Sequence, residues 1–433
     1  MEFHEIAELS TFNLADTKKV DTEIKDVDGK TIFSLPNVEV PSSWSDRAAT
    51  ILSSKFCRRD ANGGYIETSA YQVVERIVNA ITFEGTRQGY FSNGESKVNF
   101  VNSLRKILLS QTAAFNSPVW FNCGIWESYH ITGQGNHWNW EGQSQKVEKT
   151  KNTYQYPQSS ACFIQSISDS LNSIFELVKK ESMIFKYGSG TGTNFSPLRS
   201  KYETLAGGGL SSGVMSFLKV FDSAAGTVKS GGTTRRAAKM VCLDVDHPEI
   251  MDFINWKVQE ETKVKVLIAA GYSPDFNGEA YQTVGGQNSN NSVRVTDEFM
   301  QAVEKKGKWK TLYRQGQGQA GSWLHKEYEA EEIWKAICAA AWECADPGLQ
   351  FSDTINKWNP CKASGRINAS NPCSEFMFLD NTACNLVSLN LSKFYSNKGG
   401  TLYLNKPFLV NVVRVMITAM DILVDYSSYP SPE

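Results

Sequence analysis

The sequence predicts an α/β protein that begins with a helical region, and two patterns lead to this prediction. From residue 45 to about residue 109, apolar residues recur with the 3.6-residue period of an amphipathic helix, as in SAYQVVERIVNAI. From about residue 160 onward, short apolar runs alternate with helical periods. Such alternation is typical of a sheet covered by helices.

The individual elements follow from the same patterns. Residues 1–45 are polar and mixed, and LPNVEVPSSWS (35–45) is expected to be a linker or arm. Residues 126–159 are expected to be a long loop or hairpin insertion. The helical pattern breaks at NSP, residues 116–118. Helices are predicted over 171–185, 211–228 and 331–345, and strands over 161–167, 263–270, 348–353 and 382–391.

The composition and charge of the chain limit the classes of protein to which it can belong. The chain has 433 residues, of which 41% are hydrophobic, and its formal net charge is −2. This near balance of charge disfavours nucleic-acid and membrane-surface partners but leaves room for small anionic substrates. The start, MEFHEIAELSTF, lacks the pattern of a signal peptide, and no apolar run approaches the roughly 18 residues of a membrane helix. We therefore expect a cytoplasmic protein.

The cysteines argue against a disulfide scaffold and against a structural metal site. There are nine cysteines, an odd number, and no CxxC occurs. The spacings among the cysteines and the five histidines fit no zinc pattern. The alternative is that a few of the thiols take part in redox or radical chemistry.

Three polar segments have more than one interpretation. YGSGTGTNF, residues 187–195, has GxGxG spacing after a helix, so a dinucleotide fingerprint is not supported. A helix cap at Gly188 and a close ligand contact carry equal weight there. KSGGTTRRAAKM is slightly more typical of a solvated basic loop than of a phosphate site. SDSLNSIF predicts a helix N-cap.

The decapeptide INASNPCSEF places a thiol between an amide and a carboxylate. Pro372 excludes a helix interior or a central strand, so the segment is predicted to be a loop. In an extended loop, Asn371, Cys373 and Glu375 would share one face. On these residues alone, a turn with a small buried Cys is favoured by about two to one over a functional thiol.

Seven motifs, in order along residues 110 to 430, favour the functional thiol over the structural cysteine at position 373. Together they resemble the catalytic subunit of ribonucleotide reductases, most closely the adenosylcobalamin-dependent class II enzymes, as does the earlier VPSSWSDRAATILSSKF. The motifs are NSPVWFN (116–122), SSACFIQSISDSLNSIF (159–175), GSGTGTNFSPLRS (188–200), SGGTTRRAAKM (230–240), NSVRVTDEFM (291–300), NPCSEF (371–376) and ACNLVSLNL (383–391).

The resemblance implies a fold and a set of reacting residues. Residues 1–110 would be an N-terminal arm and helical region, and residues 111–433 the first part of a ten-stranded α/β barrel with an inward finger loop. Cys373 matches the thiyl radical site, Glu375 the general base and Asn371 the substrate-binding amide. Cys162 and Cys384 match the redox pair, which requires Cα atoms within about 7 Å. The other six cysteines are expected to be small buried core residues.

Further roles implied by the resemblance concern ligands and partners. Ser117, Ser160, Ala161 and Gly190 match substrate-contacting positions. Asp169, Ser170, Leu171 and Arg199 match the site for a deoxyribonucleoside triphosphate or ATP effector, and Arg235 lies in the loop that relays effector identity. The implied cofactor is adenosylcobalamin, and the implied partners are a ribonucleotide substrate, a thioredoxin-like reductant and a second copy in a dimer.

The chain departs from the family at its end, where members continue into a second half-barrel that carries much of the cofactor platform. We expect a split enzyme, with that half on a second polypeptide, rather than a truncated chain. Two alternatives stay open. One is a class I-like large subunit that receives its radical from a separate metalloprotein. The other is a non-catalytic nucleotide-binding regulatory subunit, against which the five intact reacting residues argue. The choice between diphosphate and triphosphate substrates also stays open.

Overall fold

The structure, a computed structural model, describes residues 1–26, 28–135, 137–142, 144–228, 237–275, 278–315 and 323–432. The chain forms two compact units. The first consists of Met1–Ala161 and Asn385–Glu433, and the second of Cys162–Cys384.

The first unit opens with a strand pair, three helices and a series of short elements. Its N-terminal elements are β1 (Thr17–Lys25), β2 (Thr31–Pro41), α1 (Asp46–Lys55), α2 (Ala70–Arg87), α3 (Gly94–Leu109), β3 (Ala113–Phe115), α4 (Ser117–Asn122), α5 (Ile125–Tyr129), β4 (Trp138–Glu141) and β5 (Lys146–Lys149). The predicted helical region is confirmed by α1, α2 and α3, whose first turns are capped by the side chains of Ser45, Ser69 and Asn93.

The prediction that residues 35–45 are a linker or arm is wrong for residues 35–41, which belong to β2. Strands β1 and β2 pair antiparallel there, and Thr22, Leu35, Val38 and Val40 are buried. The segment is polar because its other residues face solvent, which is the alternation of a half-buried strand. The predicted hairpin within 126–159 is confirmed by the antiparallel pair of β4 and β5.

The second unit alternates strands and helices. Its elements are β6 (Cys162–Gln165), α6 (Leu171–Lys186), β7 (Gly190–Asn194), α7 (Gly213–Thr227), β8 (Lys239–Asp244), α8 (Ile250–Ala269), α9 (Glu279–Gln282), β9 (Ser289–Val295), α10 (Asp297–Glu304), β10 (Lys308–Leu312), β11 (Leu324–Glu329), α11 (Ala330–Cys344), β12 (Gly348–Phe351), α12 (Ser352–Lys357), β13 (Ala369–Ser370), β14 (Met377–Phe378) and β15 (Thr382–Cys384).

A six-stranded sheet in the order β12-β9-β8-β7-β6-β15 forms the centre of this unit. The strands from β6 to β12 pair parallel, and β15 pairs antiparallel with β6. Apolar residues of β8 and β9 pack with those of the helices α6, α7, α8, α10 and α11 in one buried cluster. The predicted α/β class is therefore confirmed, with parallel strands linked through helices.

One strand prediction is wrong and another is confirmed only in part, both for reasons of tertiary context. Residues 263–270 are the last turns of α8, in which the buried residues Phe253, Ile254, Glu260 and Val264 keep helical spacing. The Val- and Ile-rich run continues a helix because that face packs against the core, which overrides its local β propensity. The predicted strand over 382–391 is two strands, β15 in the second unit and β16 (Val387–Leu389) in the first.

The chain returns to the first unit through β16, β17 (Tyr395–Lys398), β18 (Thr401–Leu404) and α13 (Lys406–Tyr426). Strand β16 pairs antiparallel with β3, and α13 packs on α2 and α3. Within the described part of the chain, α13 alone is long and apolar enough to cross a membrane by length and composition. Nine of its residues are buried in the core of the unit, as in a core helix of a globular protein.

A buried ion pair ties the helices of the first unit together. Arg76 on α2 donates from Nε to Glu67 Oε1 at 2.7 Å, and neither side chain is more than 1% exposed. The guanidinium also donates to the backbone oxygens of Trp120 and Cys123, and the Tyr129 hydroxyl donates to Glu67 at 2.9 Å. The pair therefore joins α2 to α4, to α5 and to the segment before α2.

Replacing Glu67 with Ala should lower the free energy of unfolding by about 3–5 kcal/mol, because the Arg76 charge would stay buried without a counter-charge. Urea denaturation followed by circular dichroism measures this change. The matched control is Lys18→Ala, which breaks the exposed ion pair with Asp46 and should leave the urea midpoint unchanged. Equal midpoints for the two variants would contradict the proposed importance of the pair.

Candidate functional site

The segment around Cys373 is a short hairpin, residues 369–378, called the finger hairpin below. Strands β13 and β14 pair antiparallel, and a tight turn over 371–376 joins them. The backbone N–H of Asn371 donates to the oxygen of Phe376 at 3.1 Å, and that of Ser374 donates to the oxygen of Asn371 at 3.1 Å. The expected extended loop is therefore wrong, because the strand pairing on both sides makes the chain reverse direction within these six residues.

The turn gives its three chemical residues different environments. Asn371 is fully buried, whereas Cys373 and Glu375 are exposed. Neither the predicted common face nor the alternative of a buried structural Cys at position 373 is correct. The Asn371 side chain instead braces the turn, because its Oδ1 accepts from the Phe376 backbone N–H at 2.9 Å.

Cys162 and Cys384 are directly opposed partners in the antiparallel pair of β6 and β15. Such partners have Cα atoms about 4.5–5.5 Å apart, so the predicted proximity is confirmed. Both side chains are buried, with 8% and 3% exposed. All nine cysteines of the chain are present as thiols.

Several groups around this pair act on the Cys384 thiol. Its hydrogen bond with Cys162 raises the pKa of Cys384 most strongly, burial raises it further, and the negative charge of Glu375 adds to the effect. Asn371 Nδ2 donates to Cys162 Sγ at 3.6 Å. The finger hairpin thus brings an amide and a carboxylate to a pair of thiols in which Cys384 stays protonated at neutral pH.

Glycines in β7 make room for the finger hairpin. A Cβ atom at Gly190 would lie 2.6 Å from Pro372 Cγ, and one at Gly192 would lie 1.7 Å from the backbone oxygen of Ser370. Gly190 is also the strand partner of Cys162. The predicted helix cap is confirmed, because Gly188 follows the end of α6 with φ +85°. The close approach at Gly190 and Gly192 is made by the chain itself.

Polar side chains from the sheet hold the backbone of the finger hairpin and of the two residues that precede it. Asn290 Nδ2 donates to the oxygen of Pro372 at 2.7 Å, Asn194 Nδ2 to that of Asn368 at 3.1 Å, and Arg294 to that of Ile367 at 2.8 Å. Sequence reasoning missed these three residues. The available signal for Asn290 and Arg294 was the run of polar residues in NSNNSVRV, which forms a mostly buried strand.

A second group of predicted residues meets at the start of α6. Arg199 Nε donates to Asp169 Oδ2 at 2.6 Å, and Gln315 Nε2, which was not predicted, donates to the same oxygen at 3.0 Å. The predicted N-cap is confirmed, because the Ser170 side chain accepts from the backbone N–H of Ser173. Leu171 follows with 64% of its surface exposed.

The other predicted residues are not all in one unit. Ser117, Ser160 and Ala161 belong to the first unit and Gly190 to the second, while Arg235 lies outside the described residues. Cys57, Cys123 and Cys242 are buried, as expected for core residues. The same expectation is wrong for Cys338, which is exposed on α11, and Cys344 and Cys361 are only partly buried.

Two family models match this sequence. The model of the ribonucleotide reductase barrel domain matches residues 160–433, and that of class II vitamin B12-dependent ribonucleotide reductase matches residues 18–111. The first of these matches covers more than half of the chain, and it confirms the resemblance carried by the seven motifs.

Individual relatives agree with the family models. The vitamin B12-dependent ribonucleotide reductase of Rhodopirellula baltica is 45% identical over 409 residues, which cover 94% of this chain and 39% of that protein. The enzyme of the same name from Streptomyces avermitilis is 44% identical, over 93% of this chain and 39% of that protein. That from Bradyrhizobium diazoefficiens is 37% identical, over 96% and 41%. The chain thus spans about two fifths of the length of the curated relatives it matches, and it belongs to the ribonucleotide reductase family.

Proposed function

We propose that this chain provides the reacting cysteines of an adenosylcobalamin-dependent ribonucleotide reductase, which converts ribonucleotides to deoxyribonucleotides. One observation carries the proposal. An exposed thiol, Cys373, lies on a turn whose neighbouring residues Asn371 and Glu375 act on the buried thiols Cys162 and Cys384. The finger hairpin thereby carries the residues proposed as radical site and acid/base group, and the six-stranded sheet beside it carries the thiols proposed as the two-electron donor.

In the proposed reaction, a thiyl radical on Cys373 removes the 3′-hydrogen of the ribose. Glu375 takes the proton of the 3′-hydroxyl, and the 2′-hydroxyl leaves as water with a proton from the thiol pair. Cys162 and Cys384 together give up two protons and two electrons and become a disulfide. The 3′-carbon then regains hydrogen from Cys373, and Glu375 returns its proton. The net change is one ribonucleotide and two thiols to one deoxyribonucleotide, water and one disulfide.

The environments of the thiols suit these roles. The raised pKa of Cys384 keeps its thiol protonated at neutral pH, so this residue holds one of the hydrogens that the reduction consumes. The direct opposition of the two residues on neighbouring strands allows a disulfide without movement of the backbone. Burial protects both sulfurs from reaction with solvent oxidants before substrate is present.

The described residues fit the proposed cofactor at the position that receives the radical. When bound, adenosylcobalamin supplies a carbon-centred radical from its cobalt–carbon bond. Cys373 is an exposed thiol on a braced turn, and its own part is to present Sγ in a fixed direction. The class II match over residues 18–111 and the names of the relatives support this cofactor over radical delivery by a separate metalloprotein.

The proposal extends to the architecture. Residues 1–110 form the arm and helical region, and residues 111–433 the first part of a ten-stranded barrel in which β13 and β14 form the finger. The two edge strands of the described sheet, β12 and β15, favour pairing with further strands. In this proposal, strands outside the described sheet pair with these two edges and complete the barrel.

The group at the start of α6 is proposed to bind a deoxyribonucleoside triphosphate or ATP as an effector. A helix N-terminus attracts phosphate groups, and Arg199 adds a positive charge that Asp169 holds in place. In the same proposal, Ser117, Ser160, Ala161 and Gly190 contact the substrate, and Arg235 relays the identity of the effector. The enzyme acts in the cytoplasm as a dimer and is recycled by a thioredoxin-like reductant.

Replacing Cys373 with Ala should abolish deoxyribonucleotide formation, because no other thiol lies on the finger hairpin. The tagged chain is purified with its partners from its native host and assayed with adenosylcobalamin, a dithiol and a ribonucleotide. The control variant is Cys338→Ala, which removes an exposed thiol on α11 and should keep full activity. Retained activity in Cys373→Ala would contradict the proposal. Activity without cobalamin would favour radical delivery by a separate metalloprotein.

Mild oxidation of the reduced chain should join Cys162 to Cys384, because the two residues are direct strand partners. Diamide treatment, followed by alkylation and peptide mass spectrometry, identifies the linked peptides. A Cys384→Ser variant should leave Cys162 alkylated only after unfolding, since its side chain is buried. Preferential linkage of Cys162 to any other cysteine would contradict the assignment of the pair.

A further inference from the structure

The finger hairpin has a polar anchor in addition to the three side chains that hold its backbone. Gln350 on β12 is 1% exposed and makes four hydrogen bonds. Its Oε1 accepts from Arg294 Nη1 at 2.9 Å and from Cys242 Sγ at 3.5 Å. Its Nε2 donates to Ser370 Oγ at 2.8 Å and to Ser374 Oγ at 3.2 Å.

The orientation of this amide is fixed by chemistry. A guanidinium can only donate hydrogen bonds, so the oxygen of Gln350 must face Arg294 and its NH₂ group must face the two serines. Arg294 is itself buried, and it also donates to Ser352 Oγ and to the backbone oxygen of Ile367. The guanidinium of Arg294 therefore determines which atoms donate and which accept in the hydrogen bonds of Gln350.

Ser370 and Ser374 extend this ordered set of hydrogen bonds into the turn. Ser370 Oγ donates its one proton to the backbone oxygen of Asn371 at 2.9 Å. Ser374 Oγ lies 3.1 Å from Ser370 Oγ and must be the donor in that contact, because the proton of Ser370 is already used. Ser374 directly follows Cys373 and has a φ of +61°, a strained value for a serine that needs support from its surroundings.

We infer that Gln350 is a positioning residue for the Cys373 thiol, acting through Ser370 and Ser374. The two serines lie on either side of Cys373 in the turn, so one amide group holds both ends of the segment that carries the sulfur. The inference deepens the proposed function and rests on it in one respect, the assignment of Cys373 as the reacting thiol. The hairpin itself has only two residue pairs, too few to fix the turn without such an anchor.

The most informative substitution is Gln350→Glu, which keeps the shape of the side chain and gives Arg294 a carboxylate partner. A carboxylate cannot donate, and the hydroxyl protons of Ser370 and Ser374 are already donated to Asn371 O and to Ser370 Oγ. Both bonds to the serines are therefore lost, and the turn loses its anchor while the buried arginine stays paired. Ser374→Ala is the second variant. It removes the far end of the same chain of bonds from a partly exposed position.

The readout is the rate at which iodoacetamide alkylates Cys373, divided by the rate at Cys338 in the same molecule. Cys338 is an exposed thiol on α11 and serves as the internal reference. In Gln350→Glu this ratio should rise about fivefold, as expected for the loss of one net hydrogen bond that restrains the turn. Thermal unfolding by circular dichroism confirms that each variant is compared in its folded state.

The double variant tests whether the two residues act through one chain of bonds. Gln350→Glu combined with Ser374→Ala should alkylate no faster than the faster single variant. In the complete enzyme, Gln350→Glu should lower kcat and leave the KM for the ribonucleotide within about twofold, since binding is retained while the sulfur is misdirected.

An unchanged alkylation ratio in Gln350→Glu, or effects that multiply in the double variant, would overturn the positioning role. Failure of the proposed function looks different. If Cys373→Ala kept its activity, the reacting thiol would be wrongly assigned, whereas the alkylation ratios would still decide whether Gln350 holds the turn.

Discussion

The candidate site depends on the close approach of the finger hairpin to β7. Because Gly190 and Gly192 have no side chains, Pro372 and the backbone of Ser370 can lie directly against that strand. Any larger residue at either position would displace the hairpin, and Cys373 and Glu375 with it. Gly190 is also the strand partner of Cys162. The contact between Gly190 and Pro372 therefore also sets the distance between the turn and the pair of thiols.

Burial of the hairpin then requires that its polar groups find partners. The backbone oxygens of Ile367, Asn368 and Pro372 accept from Arg294, Asn194 and Asn290, which lie on two of the neighbouring strands. Apolar contacts complete the packing, with Ile164, Met240, Cys242 and Ala369 in a small cluster against Phe376 and Phe378. One face of the sheet thus serves the hairpin, while helices cover the other.

This arrangement separates two kinds of thiol within one unit. Cys162 and Cys384 are buried, and mutual hydrogen bonding with burial raises the pKa of Cys384. Cys373 is exposed at the tip of a braced turn. A buried protonated pair is suited to storing hydrogens, and an exposed thiol to meeting a reactant from outside the chain. The separation follows from topology, because the pair lies on strands and the third thiol lies on a turn.

Local patterns were enough to determine part of this protein. The amphipathic period predicts α6, α7 and α11, the serine before Leu171 predicts the start of α6, and the seven motifs identify the family. The proximity of Cys162 and Cys384 also followed from those motifs.

Other features were decided only by contacts between residues far apart in sequence. Tertiary contacts made residues 263–269 part of a helix and made the segment around Cys373 a tight turn. They also packed the finger hairpin against Gly190 and Gly192 and buried Arg294 beside Gln350. The physical reason is that steric room and hydrogen-bond partners at each of these positions come from other strands and helices, which no local pattern records.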